Sequence, residues 1–338
     1  MPKEKTKGIQ EYRQSRPEQL GFFELLLPEE QPYSNTIELY DFIPKYHWGK
    51  VERIDGQFLK SLVRRFQCRG QNYKVKIQPA RIVNKDGSEK EYYPSQREEL
   101  VEDALRKFVC EGQGIFLDDA AGVTFTLYQL QQELKRRGHT YSISQLKEAL
   151  FVCAQTKITV SNEDGGTVMV SSLFETIGLQ TRDDWKGKGR KTRAYVRFNA
   201  LVTNSIKSTN FRLLNYAKTM TYRSSIARQL HKRMSHHYTQ ASFTSPYHIL
   251  LSTLIRDFGL TQYAQLRDNL RDVQKALDEM KEQEVLLDYQ IEKTIDVKKH
   301  NKLLDAKLIL TPHPRFSSEV MQGNKRQASI LRLPAPAK

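Results

Sequence analysis

Residues 125–171 read FTLYQLQQELKRRGHTYSISQLKEALFVCAQTKITVSNEDGGTVMVS, and this stretch decides the fold. Its first part carries apolar residues at helical spacing in two runs, which are separated by a short turn at 138–141. Two alternating strands, 157–161 and 167–171, follow, and the Asn-Glu-Asp-Gly-Gly segment at 162–166 favours a hairpin between them. Two helices that meet across a tight turn, followed by a hairpin, form the later part of a winged helix.

The residues before this stretch supply the rest of the unit. Apolar residues recur at helical spacing over 96–110, which predicts the first of three helices, and a short strand is expected at 115–117. Farther upstream the pattern indicates a helix at 58–66 and an alternating strand at 73–82. We therefore expect a first winged helix with an N-terminal extension.

The second half repeats this order of elements without an obvious sequence repeat. Helices are predicted at 211–237, 247–258 and 263–282. Strands are predicted at 285–291 and 306–311, and they flank a loop that is rich in lysine. This order predicts a second winged helix, whose wing is basic.

Together these elements predict an α+β protein with two tandem winged-helix domains and a flexible N-terminal arm. The expected units, in chain order, are a flexible arm (1–35), a first winged-helix domain with its extension (36–180), a basic linker with a strand at 194–198 (181–200), a second winged-helix domain (201–325) and a disordered tail (326–338).

The charge of the chain is concentrated in one region. The chain has 54 Lys and Arg against 39 Asp and Glu, a net charge of +15, and residues 185–256 contain fourteen cations and no acid. Such a field attracts polyanions, so nucleic acid or an anionic membrane surface are the candidate partners. The basic residues are spread over helices, strands and loops instead of one amphipathic face, which disfavours a membrane-surface or RNA-binding protein. No long apolar run or secretory leader is visible, and we expect a cytoplasmic, nucleoid-associated bacterial protein with no membrane partner.

In the second unit, the predicted helix 263–282 is the candidate for reading bases in the major groove. Its exposed positions carry Arg267, Arg271, Gln274 and Lys275, and Arg pairs with guanine while Gln pairs with adenine. The alternative is that these side chains only keep the helix soluble.

Further contacts with DNA are expected at four places. The glycine-containing loop could follow a phosphate backbone or could be a solvated linker. The predicted helix 211–237 lacks interleaved acids, which indicates that a bound anion relieves its charge repulsion. The first unit has an acidic wing, at Glu163 and Asp164, so its recognition helix could contact DNA or another protein. The candidates are Lys186, Lys188, Arg190, Lys191 and Arg193 in the loop, Arg223, Arg228, Lys232 and Arg233 on the helix, Lys298 and Lys299 on the second wing, and Arg136, Arg137, Ser144, Gln145 and Lys147 in the first unit.

An enzyme is not indicated. The segment 187–192, GKGRKT, lacks the glycine spacing of a phosphate loop, and no GxSxG or HExxH motif or His-x-His pair is present, which argues against a nickase. The three cysteines, Cys68, Cys110 and Cys153, are widely spaced among apolar residues and are expected to be core thiols. We predict no catalytic residue, no metal and no cofactor.

The sequence resembles the iteron-binding plasmid replication initiators, which are built from tandem winged helices. The resemblance extends over residues 36–324 and is carried by IELYDFIPKYHWGK, REELVEDALRKF, GVTFTLYQLQQELKRRGHTYSISQLKEAL, RFNALVTNSI, FRLLNYAKTMTYRSSIARQLHKRMSHHYTQAS, YHILLSTLIRDFGL and LILTPHPRF.

The resemblance implies binding to repeated duplex sites at an origin, melting of adjacent AT-rich DNA, recruitment of a host helicase or initiator, and homodimers that repress their own promoter. It implies that the second unit reads the repeats, whereas the first contacts the backbone and forms the dimer interface. The alternative function is a winged-helix transcriptional repressor, which the fold alone does not distinguish from an initiator.

Overall fold

The computed structural model divides into two hydrophobic cores that follow each other along the chain. The first core includes residues from Ile37 to Met220, and the second includes residues from Tyr222 to Val320. The division therefore lies at Thr221 and not in the expected linker 181–200. The described residues are 33–49, 51, 58–83, 86–117, 119–164, 166–179, 194–207, 211–242 and 244–331.

Helices and strands alternate along the described residues. The helices are α1 Glu38–Phe42, α2 Gln96–Phe108, α3 Leu127–Arg136, α4 Ile143–Gln155, α5 Ala200–Lys207, α6 Tyr216–Thr221, α7 Ser225–His237, α8 Leu251–Asp257, α9 Leu266–Glu282 and α10 Pro314–Leu331. The strands are β1 Tyr33–Thr36, β2 Leu62–Cys68, β3 Gln71–Gln78, β4 Ala80–Val83, β5 Glu89–Tyr92, β6 Gly114–Leu117, β7 Ala120–Phe125, β8 Lys157–Asn162, β9 Thr167–Ser172, β10 Phe174–Leu179, β11 Ala194–Phe198, β12 Arg212–Asn215, β13 Tyr247–Leu250, β14 Leu286–Asp296 and β15 Lys302–Pro312.

The stretch that opens the sequence analysis folds as its pattern predicts. Thr126 and Ser142 begin α3 and α4, and each accepts a hydrogen bond from the backbone of a glutamine three residues later. Gly138, with φ of +86°, ends the turn after α3, where a side chain would be strained. Strands β8 and β9 pair antiparallel, so the predicted hairpin is confirmed.

Two sheets and three helices form the first core. One sheet has the order β2-β3-β8-β9 and the other has the order β10-β11-β7-β6. Strand β11, predicted as part of a linker, lies between β10 and β7 and buries Val196 and Phe198. Helix α2 is central, and its apolar residues Leu100, Val101 and Leu105 are fully buried.

The second core consists of α7, α8 and α9 against the sheet β13-β15-β14. Helix α9 buries one stripe, which includes Leu270, Val273, Leu277 and Met280. These positions recur at three- and four-residue intervals, as the sequence predicts for the core-facing side of this helix.

The predicted helix at 58–66 is wrong, because this region forms strand β2. Arg69 and Gly70 both have positive φ, 49° and 76°, and they connect β2 to β3 as a two-residue hairpin turn. Pro79 separates β3 from β4, so the predicted strand 73–82 is divided in two.

Two predicted helices in the second half are also partly wrong. Within 211–237, β12 pairs with β1, and the side chains of Asn215 and Ser224 then cap α6 and α7 separately. Within 247–258, β13 pairs with β15 before α8 begins. Both strands are four residues long and form through distant partners, which local periodicity does not reveal.

The termini differ from the expected arm and tail at their inner ends. Residues 33–36 of the chain form β1, while the other residues of the expected arm, 1–32, lie outside the described part. Helix α10 continues to Leu331, so the expected disordered tail does not begin at 326, and residues 332–338 lie outside the description. Across the described residues, no helix is long and apolar enough to cross a membrane.

Candidate nucleic-acid interface

Helix α9 presents a cationic stripe opposite the stripe that it buries. Arg267, Arg271 and Lys275 are exposed and are four residues apart, which places them on one side of the helix. The Arg271 and Lys275 side chains are 64% and 68% exposed. Gln274 is half-buried beside them. The structure therefore brings these four predicted candidates together on one helix surface.

Two of these cations have acidic neighbours on the same helix. Arg271 lies 3.1 Å from Asp268, and Lys275 lies 3.5 Å from Asp272. Both pairs are exposed, and exposed pairs of this kind contribute about 0 to 1 kcal/mol. A phosphate or a base edge can therefore displace the carboxylates at little cost.

The hairpin of β14 and β15 places its tip beside the start of α9. The tip consists of a short 3-10 turn, Val297–Lys299, followed by His300 and Asn301 in the left-handed region. The Arg267 guanidinium donates a hydrogen bond of 2.8 Å to the backbone carbonyl of Asn301. This contact fixes the wing tip against the helix, so the two form one surface.

The predicted cations of this wing lie on that surface where they are described. Lys298 is exposed in the turn, and Lys293 and Lys302 are exposed on the adjoining strands. The backbone of Lys299 belongs to the turn, but its side chain lies outside the description.

The first unit offers a smaller set of contacts at the start of α4. Ser144, Gln145 and Lys147 are exposed there. The Gln145 carboxamide oxygen already accepts a hydrogen bond of 2.8 Å from the backbone of Ser142, because it belongs to the helix cap. Ser144 and Lys147 are thus the more available groups.

Arg136 and Arg137, at the end of α3, both pair with the buried Glu133, at 2.7 Å and 3.2 Å. The Arg136 side chain is 61% exposed and can reach a ligand. Arg137 is only 17% exposed and lies over the ring of Tyr216, so its role in this structure is packing and ion pairing.

The structure contradicts the assignment of Arg228, Lys232 and Arg233 to DNA binding, because all three are buried on α7. Arg228 lies 3.0 Å from Glu99, and Lys232 lies 2.8 Å from Asp103, both on α2. Arg233 lies 3.0 Å from Asp257 on α8. The charge repulsion on α7 is therefore relieved by carboxylates of the same chain and not by a bound anion.

The environment of Lys232 shows that these pairs are strong. Burial acts to lower the pKa of Lys232, but Asp103 and Glu99 outweigh it and hold the pKa above its ordinary value. The ammonium donates to both oxygens of Asp103, each at 2.8 Å. Lys232 is thus a charged group that is fully engaged inside the protein.

Other cations of the acid-free stretch also pair with distant acids. Lys207 pairs with Asp119, Lys218 with Glu319, and Arg256 with Asp257. Arg223 is exposed, and its backbone contacts Gln96 and Glu279. The absence of acids along 185–256 therefore reflects pairing across the fold as well as any surface for a ligand.

A signal for this pairing is present in the sequence and was missed. Glu99 and Asp103 are four residues apart on α2, and Arg228 and Lys232 are four residues apart on α7. Equal spacing of opposite charges on two helices allows the helices to pair side by side. The expected loop contacts, Lys186, Lys188, Arg190, Lys191 and Arg193, lie outside the described residues.

The residues of the described ranges offer little for catalysis. Cys68, Cys110 and Cys153 are free and buried, which confirms the prediction of core thiols. No group of three His, Cys, Asp or Glu side chains in those ranges is arranged as a metal site.

Comparison with known proteins finds similarity at the level of fold. No known family model matches this chain, and no curated protein matches it. Among solved structures, RctB domains 2-3 align with a TM-score of 0.47 and 9% identity over 80% of this chain and 96% of that one. A selenomethionine derivative of RctB domains 2 and 3 aligns with a TM-score of 0.46 and 9% identity over 76% and 93%. The Pi initiator protein in complex with iteron DNA aligns with a TM-score of 0.42 and 14% identity over 65% and 91%. The chain is thus similar to an iteron-binding initiator, the class that its sequence resembles, and both are mixed α/β proteins.

Proposed function

We propose that this chain is a non-catalytic DNA-binding protein that initiates replication of a plasmid or a related element. It binds repeated duplex sites at an origin, promotes melting of the adjacent DNA and recruits a helicase or host initiator. A homodimer is a further proposed assembly. The last three activities rest on the sequence resemblance alone.

We propose that each core contains a winged helix. In the first, α2, α3 and α4 precede the hairpin β8–β9; in the second, α7, α8 and α9 precede the hairpin β14–β15. The order of elements supports this assignment, since a winged helix places its third helix in the major groove and its hairpin against the backbone.

One observation carries the proposal that the second unit reads DNA. The cationic stripe of α9 and the lysine-bearing wing lie on one surface because Arg267 bonds to the wing tip. A helix with side chains of about 12 Å diameter fits the major groove, and the wing then lies along the flanking backbone. Arg271 and Lys275 are the exposed groups best placed to contact base edges or phosphates.

The test compares the DNA that flanks the gene with a mixed-sequence duplex, by fluorescence anisotropy. We expect direct repeats in the flanking DNA to bind more tightly than the mixed sequence. Arg271→Ala should cost about 1 to 3 kcal/mol at the repeats and less on the mixed duplex if Arg271 reads a base. An equal loss on both duplexes would make it a phosphate contact, and no preference for the repeats would refute site-specific binding.

A further inference from the structure

Four cations project from the outer face of the sheet β2-β3-β8-β9, away from the predicted recognition helices. Inward residues of the same strands, such as Val75 and Ile158, are fully buried. The outward cations are exposed, and we call them the basic sheet face: Arg65, Lys74, Lys76 and Lys157.

The strand register brings like charges together on this face. Arg65 is directly opposite Lys74, and Lys76 follows two residues along the same strand. Like charges that are directly opposite in a sheet destabilise it. Within the described residues, these four cations make one ion pair, between Arg65 and Glu163 at 3.7 Å, and both side chains are largely exposed.

This situation differs from that of α7. There, buried carboxylates of the same chain neutralise the cations, whereas the cations of the basic sheet face are open to solvent. The clustering of exposed positive charge therefore requires a different explanation, and an external anion supplies one.

The groups between the cations indicate which anion. Ser161 is opposite Lys74, and Thr159 is opposite Lys76, so two hydroxyl groups share the face with the ammonium groups. Lysine, arginine and hydroxyl side chains are the usual donors to phosphate and sugar oxygens in complexes with DNA. The chemistry of the face fits a phosphate backbone.

Other partners fit less well. The aromatic ring of Tyr73 stacks on Phe66 at the inner side of the sheet and is not available to stack on an unpaired base. Val63 and Val170 are the exposed apolar side chains in the row of Lys76, which is little for a protein interface. A second copy of the chain would bring the same positive charge against this face.

We propose that the basic sheet face binds the phosphate backbone of duplex DNA, independently of base sequence. This inference rests on the proposed function, since it adds a second grip on the duplex that the second unit reads. It also assigns a DNA contact to the first unit that does not depend on the acidic tip of its wing.

The experiment uses the full chain and a mixed-sequence duplex, with binding measured as a function of salt. Each phosphate contact contributes about 0.9 to the slope of log affinity against log salt, so Lys74→Glu/Lys76→Glu should make the slope shallower by about 2. The affinity at about 0.1 M salt should fall roughly tenfold to a hundredfold. Lys60→Glu/Lys90→Glu, which makes the same change of charge at exposed lysines off this face, should have a much smaller effect.

A second measurement separates binding from folding. Because Lys74 opposes Arg65, the Lys74→Glu/Lys76→Glu protein should melt at or above the temperature of the wild type even though it binds DNA less well. The neutral Lys74→Gln/Lys76→Gln protein should show an intermediate slope.

The proposal is overturned by an unchanged salt slope, by an equal loss in the control variant, by a loss confined to single-stranded DNA of the same length, or by altered self-association with unaltered DNA binding. These outcomes are separate from the test of site reading, because a mixed-sequence duplex contains no cognate repeat. A wild-type protein without preference for the repeats would refute the proposed function and would leave the slope measurement valid.

Discussion

The buried pair between Lys232 and Asp103 allows a prediction that separates structural cations from DNA-binding ones. Replacing Lys232 by Met removes two hydrogen bonds of 2.8 Å and leaves Asp103 buried, 5% exposed, without its main partner. Breaking a buried pair from one side costs about 3 to 5 kcal/mol, because the remaining charge is desolvated and uncompensated. We therefore expect Lys232→Met to lower the free energy of unfolding by that amount.

Urea denaturation followed by circular dichroism measures this loss. Asp103→Leu in the same chain should restore most of it, because a matched apolar pair removes both buried charges. The control is Lys275→Met, the same chemical change at a side chain that is 68% exposed, which should alter stability by less than about 0.5 kcal/mol.

DNA binding should respond in the opposite way. Lys275→Met should weaken binding and flatten its salt dependence, whereas Lys232→Met, measured where the protein is folded, should leave the slope unchanged. A stable Lys232→Met protein with a flattened slope would refute the assignment of Lys232 to the interior and would restore it to the DNA surface.

Two further predictions concern the two cores. Burial, with a smaller contribution from Lys218 and Lys232, lowers the pKa of His231 from 6.5 to about 3, so the unfolded chain binds a proton at pH 5 that the folded chain excludes. Stability should therefore fall as the pH falls below about 6.5, by about 2 kcal/mol between pH 7 and pH 5 from this group, and His231→Gln should remove that part of the pH dependence. In the first core, a Cβ at Gly122 would lie 2.6 Å from the backbone oxygen of Val196, so Gly122→Ala should destabilise by about 1 to 3 kcal/mol in thermal melts. Gly166→Ala, where no atom lies within 4 Å, should not, and equal melting of the two variants would contradict the close approach of β7 and β11.

The sequence predicted those elements whose signals are local. Helices α2, α3 and α4 begin at Ser95, Thr126 and Ser142, each of which forms a capping box, and their apolar spacing is regular. The buried stripe and the exposed cations of α9 also follow from its period, so this candidate surface was visible in the sequence.

Elements that depend on distant partners were not predictable in the same way. Strands β12 and β13 exist because β1 and β15 lie beside them, and each was included in a predicted helix. The burial of Arg228 likewise depends on Glu99, which is 129 residues away in the chain. A local count of charge has no access to such a contact, and it therefore overstates the basic surface.

The sorting of cations by their partners changes where DNA contacts are to be sought. Each internal ion pair cancels one cation and one acid, so the pairs of α7 leave the net charge of +15 unaltered. The surplus must then reside on cations that have no strong internal partner. Within the described residues, Arg271 and Lys275 on α9 and Lys74 and Lys76 on the basic sheet face meet that condition, since their side chains are exposed and their acidic neighbours are absent or weakly held. One set lies on each core, so the rigid pairing of α7 with α2 would hold two cationic surfaces in a fixed relation along one duplex.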